Sequence, residues 1–145
     1  MNDVQYQVAR KEDVSEIKNI LFSVRCDSSK FNYQDFVVAL KDKKVVGCIR
    51  LKNIDNDYYE LSSLAVKPEY RNQKIGSQLI SKIIDKKTEK IFLFCFKFNC
   101  GFYKKNGFLE INTKELPDTL KEELIRVKGL LPSNQKIIAM LFNKK

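Results

Sequence analysis

The sequence contains no histidine, and its four cysteines lack the C-x-x-C spacing that is typical of zinc ligands. Without histidine, nucleophilic mechanisms that depend on a Ser-His or Cys-His pair are excluded. Two of the cysteines, Cys48 and Cys95, lie inside apolar runs, which predicts buried thiols. We therefore expect neither a metal site nor a histidine-based catalytic centre.

Long apolar segments are also lacking. The longest apolar run, "IFLFCF" at Ile91–Phe96, is much shorter than the roughly 20 residues that a membrane-spanning helix needs. The first residues, "MNDVQYQVARKEDV", do not contain the apolar region of a signal peptide. These features predict a cytoplasmic protein without a membrane partner. The length of 145 residues predicts one domain over residues 1–145.

The charge is unbalanced: the chain has 27 Lys and Arg residues and only 18 Asp and Glu residues, which gives a net charge of +9. Such a balance suits a nucleic acid, an acidic membrane surface or a phosphate-bearing cofactor. The lysines are scattered, and most of the ten phenylalanines fall in strand-like apolar runs, which is typical of a core rather than of exposed stacking platforms. We therefore expect no nucleic-acid partner.

The apolar periodicity predicts an α+β fold in which helices flank a mixed, mostly antiparallel sheet of about six to seven strands. A strand at Gln5–Ala9 precedes a helix, for which Asp13 and Glu16 fit a capping box. Three strand-like runs follow, separated by the turns "KDKK" and "NIDND". A helix that begins near Gly76 then leads to the apolar strand Ile91–Phe96, which gives a central strand-helix-strand unit. The segment "GFYKKNGF" predicts a short helix that is ended by Gly107, followed by a strand from Phe108. The segment "LPDTLKEELIRVKGLLP" predicts a helical or irregular stretch, and "QKIIAMLF" predicts a closing strand.

The junction "VKPEYRNQKIGSQLI", at Val66–Ile80, is the most informative stretch. Pro68 cannot donate a ladder hydrogen bond and helps to end the strand before it. The first N–H groups of the following helix have no intrahelical partner, and Gly76 lacks the Cβ that would hold an anion away from them. This arrangement favours a phosphate site, although polar loops before surface helices are also common. The patterns G-x-G-x-x-G and G-x-x-x-x-G-K-[ST] are both absent.

Two segments of the chain match a known pair of motifs. The residues that fit the patterns L-x-V-x-P-x-x-R, R/Q-x-x-G-x-G/A and F-Y-x-x-x-G-F are Leu64, Val66, Pro68, Arg71, Gly76, Ser77, Phe102, Tyr103, Gly107 and Phe108. With these motifs and its order of elements, the chain resembles the GNAT superfamily of acetyl-CoA-dependent N-acetyltransferases. Lys74 replaces the first glycine of the family loop. A lysine is tolerated there wherever φ is negative, so we expect altered affinity rather than loss of binding.

The resemblance implies that acetyl-CoA, as acetyl donor, lies between the strand that ends at Val66 and the strand Ile91–Phe96. Its pantetheine arm would pair with the backbone of the first strand, and its pyrophosphate would rest on N–H groups of the loop. No metal is implied. The cofactor-binding residues implied in this way are Leu64, Ala65, Val66, Arg71, Asn72, Gln73, Lys74, Ile75, Gly76, Ser77 and Asn99.

The resemblance also implies two catalytic residues for direct attack of an amine on the acetyl thioester. Tyr103 matches the family tyrosine and would protonate the leaving thiolate, although a packing role also fits. Glu60 aligns with the strand glutamate that several family members use as a base, often through water. Strand alternation places residues 60, 62, 64 and 66 on one face, which would direct Glu60 towards the cofactor. A glutamate that only positions the amine is an equal alternative.

The segment "LFSVRCDSSKFNYQDF" falls where the family usually builds the acceptor pocket, so Arg25, Ser28 and Tyr33 are the implied substrate-binding residues. The C-terminal part is loosely similar to the amino-acid N-acetyltransferase branch. We predict acetyl transfer to a primary amine of a small metabolite or amino acid. The alternatives are a protein lysine or N-terminal acetyltransferase, a non-catalytic CoA-binding module and a nucleic-acid-binding module. The resemblance is compatible with a homodimer.

Overall fold

The structure, a computed structural model, describes residues 3–26, 30–55, 57–131 and 134–143. Its strands are β1 (Gln5–Val8), β2 (Phe36–Lys41), β3 (Lys44–Ile54), β4 (Tyr58–Val66), β5 (Lys90–Phe96), β6 (Phe108–Ile111) and β7 (Ile137–Phe142). Its helices are α1 (Val14–Ser23), α2 (Ile75–Ile84), α3 (Cys100–Lys105) and α4 (Asp118–Gly129). No helix of these described ranges is both long and apolar enough to cross a membrane.

The strands form one seven-stranded sheet in the order β1-β2-β3-β4-β5-β7-β6. β4 and β5 are parallel, whereas the pairs β1–β2, β2–β3, β5–β7 and β6–β7 are antiparallel. The predicted α+β fold with a mixed, mostly antiparallel sheet is confirmed, and β4, α2 and β5 form the predicted strand-helix-strand unit. The closing strand β7 lies between β5 and β6 rather than at an edge of the sheet.

The chain forms two compact units, and β4 contributes residues to both. The first unit comprises the described residues of Met1–Lys52 and Ser62–Lys87, and the second those of Asn53–Leu61 and Thr88–Lys145. The organisation of residues 1–145 as one domain stays a prediction.

The core of the first unit forms where α1 packs on the sheet. Its buried members are Ala9, Ile17, Ile20, Leu21, Phe36, Val38, Leu40, Val45, Cys48 and Ala65. The predicted capping box of α1 is wrong. The carboxylate of Asp13 accepts a hydrogen bond from the backbone N–H of Arg10 at 2.8 Å, and Glu16 accepts one from the N–H of Val45 at 3.0 Å. Glu16 therefore ties α1 to the start of β3 instead of capping its own helix.

The hairpin between β2 and β3 turns at the predicted "KDKK" segment. Asp42 and Lys43 have φ angles of 52° and 67°. A two-residue turn with two left-handed residues matches the twist of the flanking strands, which is why it sets the pairing of β2 with β3.

The helix α2 buries the apolar face that its periodicity predicts, at Ile75, Leu79, Ile80 and Ile83. Gly47 on β3 permits a close approach to this face. A Cβ at Gly47 would lie 3.2 Å from the carbonyl oxygen of Ala65 and 3.3 Å from side-chain atoms of Leu79 and Val66. The last residues of β4 are therefore held closely against β3 and α2.

The second unit has a core of its own, built on α4 and the strands around β5. Its buried members are Phe92, Leu116, Leu120, Leu124 and Ala139. Tyr58, at the start of β4, packs its ring edge-on to Phe92 at 5.8 Å and donates its hydroxyl hydrogen to Thr119 at 3.0 Å. The first half of β4 is thus anchored to both β5 and α4.

Candidate functional site

The strand β4 ends in a tight turn before the loop that leads to α2. A short 3-10 turn begins at Pro68, as expected for a residue that ends the ladder. The N–H of Lys67 donates to the carbonyl of Val46 at 2.9 Å, and the N–H of Arg71 donates to the carbonyl of Pro68 at 3.2 Å. These bonds fix the chain direction from β4 into the loop.

The loop before α2 contains two non-glycine residues with left-handed backbone. Asn72 has φ 63°, and Lys74, the residue directly before the helix, has φ 64° and ψ 15°. The condition under which a lysine is tolerated there, a negative φ, is therefore not met at Lys74. The turn into α2 demands the conformation that glycine adopts most easily, which gives a physical reason for a glycine in the family pattern. The lysine side chain is exposed.

The first turn of α2 presents donors towards this loop. The N–H of Gln78 donates to Lys74 at 3.0 Å, whereas the N–H groups of Ile75, Gly76 and Ser77 precede the first intrahelical bond. The side chain of Arg71 is directed back to β4, since its Nε donates to the carbonyl of Val66 at 3.1 Å. Backbone donors at a positive helix end, with exposed cations nearby, suit an anionic phosphate.

The end of β4 does not continue the regular alternation of a strand. Ser63 has φ 55°, and its carbonyl oxygen lies 3.6 Å from the thiol of Cys48. A residue in this conformation breaks the period of two, so the face of Leu64 and Val66 cannot be counted back to Glu60. The alternation that was predicted to direct Glu60 towards the cofactor is therefore interrupted at Ser63. The side chain of Glu60 is buried, with 4% exposed.

The two remaining residues of the predicted cofactor and catalytic set lie around α3. Tyr103 is half-buried on this helix, and its ring packs edge-on against Phe108 at 6.1 Å. Asn99 is exposed and directly precedes the helix, without a side-chain hydrogen bond to its first turn. Packing thus holds the ring of Tyr103 in place. A proton donor requires such positioning, and a residue with only a packing role would show it as well.

The predicted acceptor residues are placed unevenly. Arg25 is exposed, with φ 57°, just after α1, and Tyr33 is half-buried at the start of a 3-10 turn. Ser28 lies outside the described residues. Sequence reasoning missed Arg50, which is buried on β3 and bonded to Asp35. The signal for it was an arginine inside the apolar run "VVGCIRL", where an unpaired charge is not tolerated.

The predicted site residues divide between the two units. The first unit holds the loop residues from Leu64 to Ser77, together with Arg25 and Tyr33, and the second holds Glu60, Asn99 and Tyr103. Among the residues for which the structure gives side chains, no group of three His, Cys, Asp or Glu is arranged to hold a metal ion.

A parallel β4–β5 pair joined by α2, with left-handed residues in the loop directly before α2, defines a class of fold. Residues 32–110, more than half of the chain, match the model of the acetyltransferase (GNAT) domain. The chain belongs to the GNAT acetyltransferase family.

Individual relatives share parts of the chain. A spermidine N(1)-acetyltransferase of Thermoplasma acidophilum is 40% identical over 80 residues, which cover 50% of this chain and 49% of that protein. An uncharacterized N-acetyltransferase of Chlorobaculum tepidum is 33% identical over 89 residues, which cover 60% of this chain and 57% of that protein. The chain thus spans about half the length of these curated relatives.

Solved structures show the same fold over nearly the whole chain. The N-acetylglutamate synthase from Neisseria gonorrhoeae, complexed with coenzyme A and N-acetyl-glutamate, superposes with a TM-score of 0.78 at 22% sequence identity. The superposition covers 98% of this chain and 36% of the synthase.

Proposed function

We propose that this chain is an N-acetyltransferase that binds acetyl-CoA and transfers its acetyl group to a primary amine of a small metabolite or amino acid. The observation that carries the proposal is the loop before α2, where left-handed Asn72 and Lys74 precede the first N–H groups of a helix. Such backbone donors suit a phosphate oxygen, and the family supplies the reaction class.

The residues present fit the donor molecule. The backbone of Leu64–Val66 would pair with the pantetheine arm, and the loop from Arg71 to Ser77 would hold the pyrophosphate. Residues 67 to 74 contain three cationic side chains, those of Lys67, Arg71 and Lys74, and one carboxylate, that of Glu69. The loop therefore carries a net positive charge. Asn99 would add a polar contact to the cofactor. A local excess of cations next to helix N–H groups favours an anion of high charge.

Two side chains supply the proton transfers in this proposal. Acetyl-CoA, when bound, provides the thioester carbonyl that a neutral amine attacks. Glu60 takes the proton that the ammonium must lose, directly or through water, and Tyr103 gives a proton to the departing thiolate. A phenol and a thiol have ordinary pKa values within about two units of each other, so this transfer is nearly balanced. The second proton that the nitrogen loses as the amide forms restores the phenol of Tyr103, directly or through water.

The acceptor in this proposal is a small amine. One relative is named for spermidine, and one structural neighbour is an N-acetylglutamate synthase solved with N-acetyl-glutamate. Arg25 and Tyr33, with Ser28, are the residues that we propose for the acceptor. An exposed guanidinium such as that of Arg25 suits a carboxylate, which an amino acid carries and a polyamine lacks.

A charge placed in the first turn of α2 tests the phosphate site. Ser77→Glu puts a carboxylate where the pyrophosphate would bind, yet an acidic residue in a first turn stabilises the helix, so the fold should be retained. We expect acetyl-CoA affinity, measured by calorimetric titration, to fall at least about tenfold because of charge repulsion and steric block.

Ser81 provides the matched control on the same helix, since it is exposed one turn further on. Ser81→Glu adds the same charge away from the loop and should bind acetyl-CoA within about twofold of the wild type. Equal binding by Ser77→Glu and wild type would place the pyrophosphate elsewhere.

A further inference from the structure

Arg50 is a buried cation within the apolar run "VVGCIRL" of β3. Its side chain lies on β3 with 3% exposed, between the buried residues Ile49 and Leu51. Burying a guanidinium is unfavourable unless its donors are satisfied and its charge is paired. The partners that compensate Arg50 therefore identify what this residue does in the fold.

Arg50 forms hydrogen bonds to both ends of one short segment, Lys30–Asp35. Its Nε and Nη2 donate to the carboxylate of Asp35 at 3.2 and 3.1 Å, and Nη2 also donates to the backbone carbonyl of Lys30. The guanidinium carbon lies 5.6 Å from the centre of the Phe36 ring. Arg50 thus joins the two ends of the segment Lys30–Asp35 to β3.

Local bonds alone hold this segment weakly. Its 3-10 turn at Tyr33–Asp35 is capped by Asn32, whose side chain and carbonyl accept from Gln34 and Asp35 at 3.0 and 3.1 Å. A single short turn of this kind is marginal in water without tertiary contacts. The contacts of Arg50, together with the ring of Phe31 against Phe36 at 5.2 Å, supply tertiary anchoring.

We propose that Arg50 is a positioning residue that fixes the segment Lys30–Asp35, and with it Tyr33, for binding of the acceptor amine. This inference rests on the proposed function, in which Tyr33 contacts the acceptor. Arg50 itself is buried, so in this proposal it acts through the segment that carries Tyr33. The planar fork of an arginine reaches a carboxylate and a carbonyl at the same time, which the single ammonium of a lysine does not do with the same geometry.

Arg50→Lys keeps the charge and removes the fork, so it tests positioning with little change in electrostatics. We expect KM for the acceptor to rise about tenfold, with kcat and the acetyl-CoA Kd within about twofold of the wild type. Hydrogen exchange of a peptide covering residues 30–36 should become faster. Arg126→Lys is the matched control, because Arg126 pairs with a carboxylate of its own helix, Glu123 on α4, and it should leave all four quantities unchanged.

Several results overturn the inference. An unchanged acceptor KM in Arg50→Lys contradicts it, and so does a parallel loss of acceptor and acetyl-CoA affinity, which indicates a general structural defect. If Arg50→Lys does not fold, Asp35→Asn is judged by the same criteria, since it weakens the same pair from the more exposed side, where 26% of the side chain is accessible. Wild-type protein that turns over no amine refutes the proposed function and this inference together. If the wild type turns over an amine and Arg50→Lys has the same KM for that acceptor, this inference alone is refuted and the proposed function stands.

Discussion

A lysine in the left-handed region is less stable than a glycine, because its Cβ approaches a neighbouring carbonyl oxygen. Lys74 has this conformation directly before α2. Lys74→Gly should therefore raise the free energy of unfolding by about 0.5 to 1 kcal/mol, after the greater entropy of glycine in the unfolded chain is subtracted. Chemical denaturation at neutral pH measures the difference.

Alanine at the same position separates backbone from side chain. Lys74→Ala removes the cation but keeps the Cβ, so it should give no gain beyond about 0.3 kcal/mol. If alanine stabilised the protein as much as glycine, the strain at φ 64° would not be the cause.

Cys48, in the core of the first unit, makes the stability of the protein depend on pH. Burial raises the pKa of its thiol from 9.0 to about 12, and the nearby Cys26 adds to the shift. A raised pKa in the folded state means that the folded protein holds the proton more tightly than the unfolded chain does. The resulting stability is fully present below pH 9 and is lost as the pH rises towards 12.

Comparison with Cys48→Ala isolates this contribution. The stability advantage of the wild type over Cys48→Ala should shrink by about 2 kcal/mol between pH 7.5 and pH 10.5. Val38→Ala, in the same buried cluster, removes no titrating group, and its difference from wild type should not depend on pH. A constant difference for Cys48→Ala would contradict burial of a neutral thiol.

The junction between α3 and β6 depends on one glycine. Gly107 has φ 96°, and a Cβ there would lie 2.7 Å from Cε1 of Phe142 on β7. Gly107→Ala should destabilise the protein by at least about 2 kcal/mol, because it adds backbone strain and displaces a packed ring. Thermal or chemical unfolding measures the loss.

Gly129, at the end of α4, is the matched control, since a Cβ there would meet no atom within 4 Å. Gly129→Ala should change stability by no more than about 0.5 kcal/mol. Equal effects at the two positions would mean that neither the φ angle nor the ring contact at Gly107 matters.

Most elements of this chain could be predicted from periodicity. The apolar face of α2, the "KDKK" turn and the apolar strand β5 all follow from spacing and turn chemistry, because local preference and packing agree there. The same is true of the short helix that ends before Gly107.

The errors fall where tertiary contacts override local pattern. Glu16 fits a capping box in sequence, yet it accepts from Val45 on another strand. Ser63 reads as an ordinary strand residue, but its φ of 55° breaks the alternation that was used for Glu60. Arg50 and Asp35 lie 15 positions apart, and no local pattern pairs them. Bulges and long-range ion pairs leave little trace in a single sequence.

At the scale of the whole molecule, family membership and the backbone donors at the start of α2 support the proposed acetyl transfer. The net charge of +9 is consistent with a polyanionic donor. The chain spans about half of its curated relatives, so its own activity has to be measured rather than transferred from them.

Release of free thiol from acetyl-CoA, followed against amino acids, polyamines and a lysine-containing peptide, tests the central proposal most directly. We predict turnover with at least one small amine.

Tyr103→Phe should lower kcat by about a hundredfold with acetyl-CoA affinity unchanged, because it removes the proton donor and leaves the ring. Tyr6→Phe, which deletes a hydroxyl on β1, should match the wild type. Full activity of Tyr103→Phe would mean that Tyr103 only packs against its neighbours and is not the proton donor. No thiol release with any amine, together with no binding of acetyl-CoA, would contradict the proposed function.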